Sequence, residues 1–244
     1  MENTFKTEIS VGSQNLNCNE ELSLQACMEI FQDVANTHAE RLGADRWSLL
    51  KKSGAFWVVT KVKLKIEEMP KLHDNVVAET WTLDNSFVAF ERDAKLSVSD
   101  RELVKIKSEW VTLDADTHKI RPAKTIAFPF EMENRTDRAI EGKFSVLKAE
   151  INKNNFSYSR IIKFGDLDMN NHVNNCYYSR FVLDCFSSEE LKKNKIDEYE
   201  IHFVNECHEG EQLDFYKTEL EDGTYVEARV GDKQIIKAHI VWKK

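Results

Sequence analysis

The 244-residue sequence lacks long apolar runs, paired cysteines and an excess of basic residues. No stretch approaches the roughly 18 apolar residues that a membrane-spanning helix needs. Five scattered cysteines without a CxxC pair argue against a disulfide framework and against a structural zinc site. The net charge of −8 argues against broad nucleic-acid binding. These absences favour a globular protein whose partners include neither nucleic acid nor a membrane.

The N-terminal segment shows no targeting signal. MENTFKTEIS contains neither a basic region followed by an apolar block nor a transit pattern rich in Arg and Ser. We therefore expect a cytoplasmic protein. With 41% apolar and 31% charged residues, the chain has the composition of a globular protein that can bury a substantial core.

Hydrophobic periodicity divides the chain into two similar halves. In the first half, a helical pattern from Leu22 to Leu42 follows one strand-like segment and precedes several more. In the second half, a helical pattern from Val173 to Phe186 is followed by strand-like runs joined through EDG and GDK turns. The predicted fold is α+β, with two copies of a unit of one helix and an antiparallel sheet.

The segment between the halves has the composition of a linker. Residues 114–150 carry Pro122, Pro129 and the charged stretch EMENRTDRAIEGK. We assign residues 1–120 to an N-terminal repeat, 121–150 to the linker and 151–244 to a C-terminal repeat. Superposing the strands that follow the two helices sets Glu68 against Glu206.

Three polar residues, Asp168, Asn170 and His172, alternate within KFGDLDMNNHVNNCYYSRFVLD. We call them the Asp-Asn-His trio. In an extended segment, alternate side chains can converge on one point. Asn and Asp favour N-cap positions, so the helix is predicted to begin at or just before Val173. Its free backbone N–H groups could then stabilise an oxyanion. The stretch is therefore a predicted active site.

The first half carries different residues at the corresponding positions. Superposing the helical patterns places Asn17, Asn19 and Glu21 where the second half has the Asp-Asn-His trio. The imidazole and the leading carboxylate are missing there. We therefore predict one active site per chain, built by the second half, while the first half supplies a wall or a binding cavity.

The motif and several other segments resemble the acyl-ACP thioesterases of the double hotdog fold. DLDMNNHVNNCYY is similar to the signature D-x-N-x-H-V-N-N of that family. Similar spacing is found for WVVT at 57–60, Pro70, Asp74, TW at 80–81, SEWV at 108–111 and NEC at 205–207. Because plant members carry a transit extension that is missing here, the sequence looks like a bacterial member.

The resemblance implies a reaction and a partner. The reaction is hydrolysis of the thioester that joins a fatty acyl chain to the phosphopantetheine arm of acyl carrier protein. No cofactor and no metal are expected. An acyl-CoA thioesterase with the same chemistry is one alternative, and a dehydratase-like or non-catalytic acyl-binding hotdog protein is another. Two fused repeats can act as a monomer, and a homodimer is an open alternative.

The resemblance leaves two choices for the reacting group, Glu206 and Cys207. Period-two alternation along YEIHFVNEC points Cys207 inward and Glu206 outward. Cys207 could be a nucleophile that works with His172 and Asn170, or Glu206 could be a general base that works with the Asp-Asn-His trio. We favour Glu206, which a β-bulge near Asn205 would turn inward. Cys207 is then a small packing residue.

The resemblance also implies an apolar tunnel for the acyl chain, lined mainly by the first half. Aromatic and apolar residues of that half are candidates, although ordinary core packing would explain each of them equally well. The candidates are Trp57, Phe87, Trp110, Met28 and Phe31.

Overall fold

A computed structural model describes residues 3–130 and 135–244. Internal contacts divide the chain into two compact units. The first comprises Met1–Leu22 and Glu29–Gly142, and the second comprises Ser23–Met28 and Lys143–Lys244. Among the helices of the described residues, none is long and apolar enough to cross a membrane.

The first unit is built on antiparallel strands in the order β1-β3-β4-β5-β2, with the short β6 added to β5. Helix α1 buries Leu24, Cys27, Phe31 and Val34 at helical spacing, which agrees with the helical pattern predicted from Leu22 to Leu42. Asp45 caps α2 by accepting the N–H groups of Trp47 and Ser48. The elements are β1 Thr4–Ser10, α1 Leu24–Arg41, α2 Arg46–Ser53, β2 Ala55–Ile66, β3 Asn75–Thr82, β4 Ala89–Val98, β5 Arg101–Asp114 and β6 Ile120–Arg121.

The second unit repeats this plan with strands in the order β8-β11-β10-β9-β7, all antiparallel. Its core includes Phe181, Tyr199, Phe215 and Tyr225, all fully buried. The elements are β7 Phe156–Ile161, α3 Tyr177–Leu183, α4 Ser188–Lys193, β8 Ile196–Phe203, β9 Gln212–Leu220, β10 Gly223–Val230 and β11 Lys233–Trp242. The predicted α+β class and the duplicated helix-and-sheet unit are therefore both observed.

Two predicted boundaries are wrong. The helix expected from Val173 begins at Tyr177, because the Val173 N–H donates across to Cys207 O at 2.9 Å instead of entering a helix. Strand β8 ends at Phe203, before Glu206 and Cys207. Both residues lie in a loop, so strand alternation does not govern them and a bulge near residue 205 is not what orients Glu206.

A loop with the same hydrogen bonds precedes the main helical segment in each unit. The Asp168 N–H donates to His172 O at 2.8 Å, and the Asn17 N–H donates to Glu21 O at 2.8 Å. The residue inside each loop is left-handed, with φ 60° at Asn171 and 61° in the first unit. Asn17 and Asp168 are thus structural counterparts, 151 positions apart.

A second loop also recurs, after the strand that follows the helices. The His208 N–H donates to Glu211 Oε2 at 2.7 Å, and the Lys71 N–H donates to Asp74 Oδ2 at 2.8 Å. Lys71 and His208 are 137 positions apart, so Met69 is the counterpart of Glu206. The sequence superposition, which set Glu68 there, is off by one residue.

Candidate active site

Within the loop at 163–173, Asp168 and Asn170 are directly hydrogen-bonded to each other. The Asp168 carboxylate accepts the Asn170 backbone N–H at 2.7 Å and the Asn170 side-chain amide at 3.0 Å. The Asn171 N–H donates to Asp168 O at 3.1 Å. Asp168 therefore organises the turn that carries His172, and its carboxylate is occupied by Asn170.

The buried carboxylate of Asp166 holds the loop at 163–173 in place. Asp166 is 5% exposed, and it accepts from Arg160 Nη2 at 2.7 Å and from the Lys163 N–H at 3.0 Å. Its carbonyl accepts the Asn174 N–H at 2.9 Å. These contacts hold both ends of the loop, so the position of the trio does not depend on a helix terminus.

His172 meets a carboxylate that is distant in sequence. Its Nε2 lies 3.2 Å from Glu206 Oε2, and the two side chains are 28% and 48% exposed. The pair therefore remains accessible to water and substrate. An imidazole and a carboxylate at hydrogen-bond distance can bind a water molecule and take its proton.

Cys207 lies next in the chain but in a different environment. The residue is fully buried, and burial raises the pKa of its thiol to about 12, with a further contribution from the hydrogen bond to Glu211. Such a thiol stays protonated at neutral pH, whereas a nucleophilic cysteine needs a thiolate. This weighs against Cys207 as nucleophile and agrees with a packing role.

Two residues that the sequence reasoning missed complete the loop, His208 and Glu211. The His208 ring packs edge-on against His172 with centroids 4.8 Å apart, and its Nδ1–H donates to Asn171 O at 3.3 Å. Burial alone would raise the pKa of Glu211, but hydrogen bonds from His208 N–H and the Cys207 thiol lower it. The family resemblance was traced only as far as NEC at 205–207, directly before His208. The roles of His208 and Glu211 are therefore visible only in the fold.

The backbone donors proposed for an oxyanion are mostly occupied. The N–H groups of Asn170, Asn171 and Val173 donate to Asp168 Oδ1, Asp168 O and Cys207 O respectively. In the described part of the chain, the N–H of His172 is the one in this run that shows no acceptor. The predicted set of donors at 170–173 is therefore reduced to a single group, because these residues form a turn and not a helix start.

The first unit contains a cavity of about 550 Å³, solvent at its mouth included. Trp57 and Trp110, two of the candidate tunnel residues, line it, and Phe31 packs against Trp110 with ring centroids 6.5 Å apart. Met28 is buried and is not among the lining residues. Phe87 is not among the lining residues either, and its side chain is 68% exposed, because it lies in the turn before β4 and not on the strand.

The fold and the site define a class, the hotdog-type proteins of paired helix-and-antiparallel-sheet units. The family models described as the acyl-ACP thioesterase N-terminal and C-terminal domains match residues 2–125 and 147–244. The chain therefore belongs to the acyl-ACP thioesterase family, and the resemblance noted from its motifs is confirmed.

Solved structures agree with this fold. An acyl-ACP thioesterase from Bacteroides thetaiotaomicron is similar over 99% of this chain and 98% of that chain, with TM-score 0.90 and 20% identity. The 12:0-ACP thioesterase from Umbellularia californica is similar over 100% of this chain and 98% of that chain, with TM-score 0.84 and 18% identity. At these identities the likeness supports the double hotdog fold.

Curated relatives are longer than this chain. The chloroplastic oleoyl-acyl carrier protein thioesterase of Coriandrum sativum is 23% identical over 249 residues, which cover 93% of this chain and 66% of that protein. Oleoyl-acyl carrier protein thioesterase 1 of Arabidopsis thaliana is 24% identical, covering 88% of this chain and 64% of that protein. The chain thus spans just under two thirds of these relatives.

Proposed function

We propose that this protein hydrolyses fatty acyl-ACP to a free fatty acid and the carrier thiol. Family membership supports the substrate class, since relatives are named as thioesterases of acyl carrier protein. The observation that carries the proposal is the His172–Glu206 pair at 3.2 Å, exposed beside the Asp168–Asn170 turn. A pair of this kind can activate water without a covalent intermediate.

In this mechanism Glu206 accepts a proton from water, and the resulting hydroxide attacks the thioester carbonyl carbon. The His172 N–H and the His172 ring are placed to stabilise the oxygen that becomes negative. The tetrahedral intermediate collapses with cleavage of the C–S bond. The proton then passes to the departing thiolate, through Glu206 or His172, which releases the carrier thiol and the fatty acid, whose carboxyl group loses its own proton to solvent.

The other three predicted residues position this pair. Asp168 and Asn170 hold the turn whose backbone carries His172. Cys207 supports the same turn through its carbonyl, which accepts the Val173 N–H at 2.9 Å. In this proposal all five predicted residues contribute to the site, and only His172 and Glu206 exchange protons.

Paired substitutions at neighbouring positions test the roles of Glu206 and Cys207. Glu206→Gln should lower kcat by about 10²–10⁴-fold, since general-base catalysis is of that size. Cys207→Ser should keep most of the activity, because a serine can pack in the same space and the thiol is not the nucleophile. Single-turnover hydrolysis of a radiolabelled acyl-ACP measures both effects.

Glu209→Gln is the matched control, because Glu209 is an exposed carboxylate of the same loop. It should hydrolyse substrate at the rate of the unmodified protein. Full activity of Glu206→Gln, or a loss of several orders of magnitude in Cys207→Ser with the fold intact, would contradict the mechanism.

The carrier is tested by comparing acyl-ACP with the matched acyl-CoA. We expect a higher kcat/KM for the ACP thioester, with a stronger dependence on salt, because protein docking adds charged contacts that a small carrier lacks. Equal values for both carriers would favour an acyl-CoA thioesterase. The cytoplasmic location, bacterial origin, repeat boundaries and possible homodimer stay predictions.

A further inference from the structure

The fold assembles a second set of chemical groups around His172. One potential metal-ligating atom each from His172, Glu206 and His208 lies within 4.8 Å of the other two. In the sequence these residues have no metal-ligand spacing, because more than thirty positions separate the first from the others. Two imidazoles and one carboxylate form a donor set that suits Zn²⁺.

We propose that His172, Glu206 and His208 bind a Zn²⁺ ion, and that its occupancy reversibly inhibits the enzyme. The inhibitory half of this inference rests on the proposed function, because the ion would occupy the imidazole and carboxylate that are assigned to the proton transfer. The binding half stands on geometry alone.

The distances support the site. With Zn–ligand bonds of about 2.0–2.1 Å, two ligands of a tetrahedral shell lie about 3.3 Å apart. His172 Nε2 and Glu206 Oε2 are separated by 3.2 Å, so this pair already has ligand spacing. The remaining contraction, from at most 4.8 Å, falls on His208, whose side chain is exposed.

His208 is also held in the manner of a metal ligand. Its Nδ1–H donates to Asn171 O at 3.3 Å, which leaves Nε2 as the donor atom. A hydrogen bond from the second ring nitrogen to a backbone carbonyl is the usual outer contact of a ligating histidine. The His208 backbone is fixed by its N–H contact to Glu211 at 2.7 Å. Three protein ligands leave the fourth position of the ion open.

The first unit provides an internal comparison. The structural counterparts of the three ligands are Glu21, Met69 and Lys71. A thioether and an ammonium group cannot complete a zinc site, although the backbone of both loops is the same. We therefore expect one such site per chain.

Cobalt absorption tests binding without reference to activity. The full-length protein with Cys18→Ser is used, because Cys18 is an exposed free thiol that could itself bind metal. Titration with Co²⁺ should give the visible bands of a tetrahedral ion at one equivalent, and Zn²⁺ should displace it. His208→Asn should weaken binding at least about tenfold. The matched control, His73→Asn, replaces an exposed histidine of the first unit and should leave binding unchanged.

Hydrolysis of acyl-ACP tests inhibition. Zn²⁺ should inhibit the Cys18→Ser protein and EDTA should restore it. The His208→Asn variant, compared with its own rate without zinc, should need at least about tenfold more Zn²⁺ for the same fractional inhibition. Equal zinc sensitivity of both proteins, or no cobalt spectrum that depends on His208, would overturn the inference. His208-dependent cobalt binding in a protein without thioesterase activity would keep the site and refute the proposed function.

Discussion

Two adjacent residues, Glu206 and Cys207, lie in opposite environments. Glu206 is half exposed and lies 3.2 Å from His172, whereas Cys207 is buried with a thiol pKa raised to about 12. The cause is the course of the backbone after Phe203, where the Val204 and Asn205 N–H groups both donate to Ile235 O. These hydrogen bonds end strand β8, and the chain continues as a loop. The environments of Glu206 and Cys207 are therefore not set by the alternation of side chains between the two faces of a strand.

A buried carboxylate in the first unit should make stability depend on pH. Burial raises the pKa of Asp93 to about 6, against hydrogen bonding to the Ala139 N–H. In the described chain its Oδ1 has no hydrogen-bond partner. The folded state therefore holds this proton more tightly than the unfolded state does. The protonated form favours folding below about pH 4, and that stability is lost as the pH rises through 6.

The Asp93→Asn substitution should remove the loss of stability that occurs as the pH rises. The free energy of unfolding of the unmodified protein should fall by roughly 1–3 kcal/mol between pH 4 and pH 7 relative to the variant. Urea unfolding of both proteins at several pH values measures the difference. Asp116→Asn, at an exposed position, is the control. Parallel pH profiles for the unmodified protein and Asp93→Asn would show that Asp93 carries no such coupling.

At the scale of elements, the two units share loop backbones and differ in the side chains those loops carry. The left-handed position is Asn171 in one loop and Glu20 in the other. Asn visits that conformation readily, whereas Glu pays a steric cost. The second unit thus has a residue suited to this turn of the candidate active site, whereas the corresponding turn of the first unit has a less suitable one.

Glu20→Asn should therefore stabilise the protein by about 0.5–1 kcal/mol. Asn171→Ala should destabilise it by about 1 kcal/mol for the same reason. Thermal unfolding followed by circular dichroism compares both variants with the unmodified chain. A lower melting temperature for Glu20→Asn would mean that the Glu20 side chain makes a stabilising contact of its own.

Local capping residues explain why helix α3 was predicted to begin at Val173 although it begins at Tyr177. Asp168 and Asn174 are residues that favour caps, and their side chains accept the backbone N–H groups of Asn170 and Cys176. Asp168 uses its bond to close a turn several residues before Tyr177, whereas Asn174 closes one directly before the helix. Cap-forming residues compete equally well for a turn, so local propensity could not locate the boundary.

At the scale of the whole molecule, the two units differ in the features that they carry. The second unit carries the Asp-Asn-His trio with Glu206, and the first carries the cavity lined by Trp57 and Trp110. Aromatic walls of this kind suit an apolar ligand. One wall of the cavity is polar, because Arg92 lines it and is only 7% exposed. Arg92 Nη1 lies 2.8 Å from His38 Nδ1.

If this cavity holds the acyl chain, reducing its volume should shorten the preferred substrate. Ala39 lines the cavity, and Ala39→Phe should lower kcat/KM for long-chain acyl-ACP by at least about tenfold while short chains are hydrolysed normally, because each lost methylene contact is worth about 0.8 kcal/mol. A release assay across chain lengths measures this. Ala127→Phe, at an exposed position of the same unit, should not change the profile. An unaltered preference in Ala39→Phe would place the acyl chain elsewhere.

The sequence by itself determined the duplicated α+β plan, the family and the trio, because periodicity and a local motif depend on residues near one another in the chain. It predicted that Trp57 and Trp110 belong together, but it also included the exposed Phe87. Only the tertiary structure decided that His172 meets Glu206 and His208 and that Cys207 is buried. Those outcomes depend on hydrogen bonds between loops about thirty-five residues apart, such as Val173 N–H to Cys207 O, and such long-range pairings leave no periodic signal in a sequence.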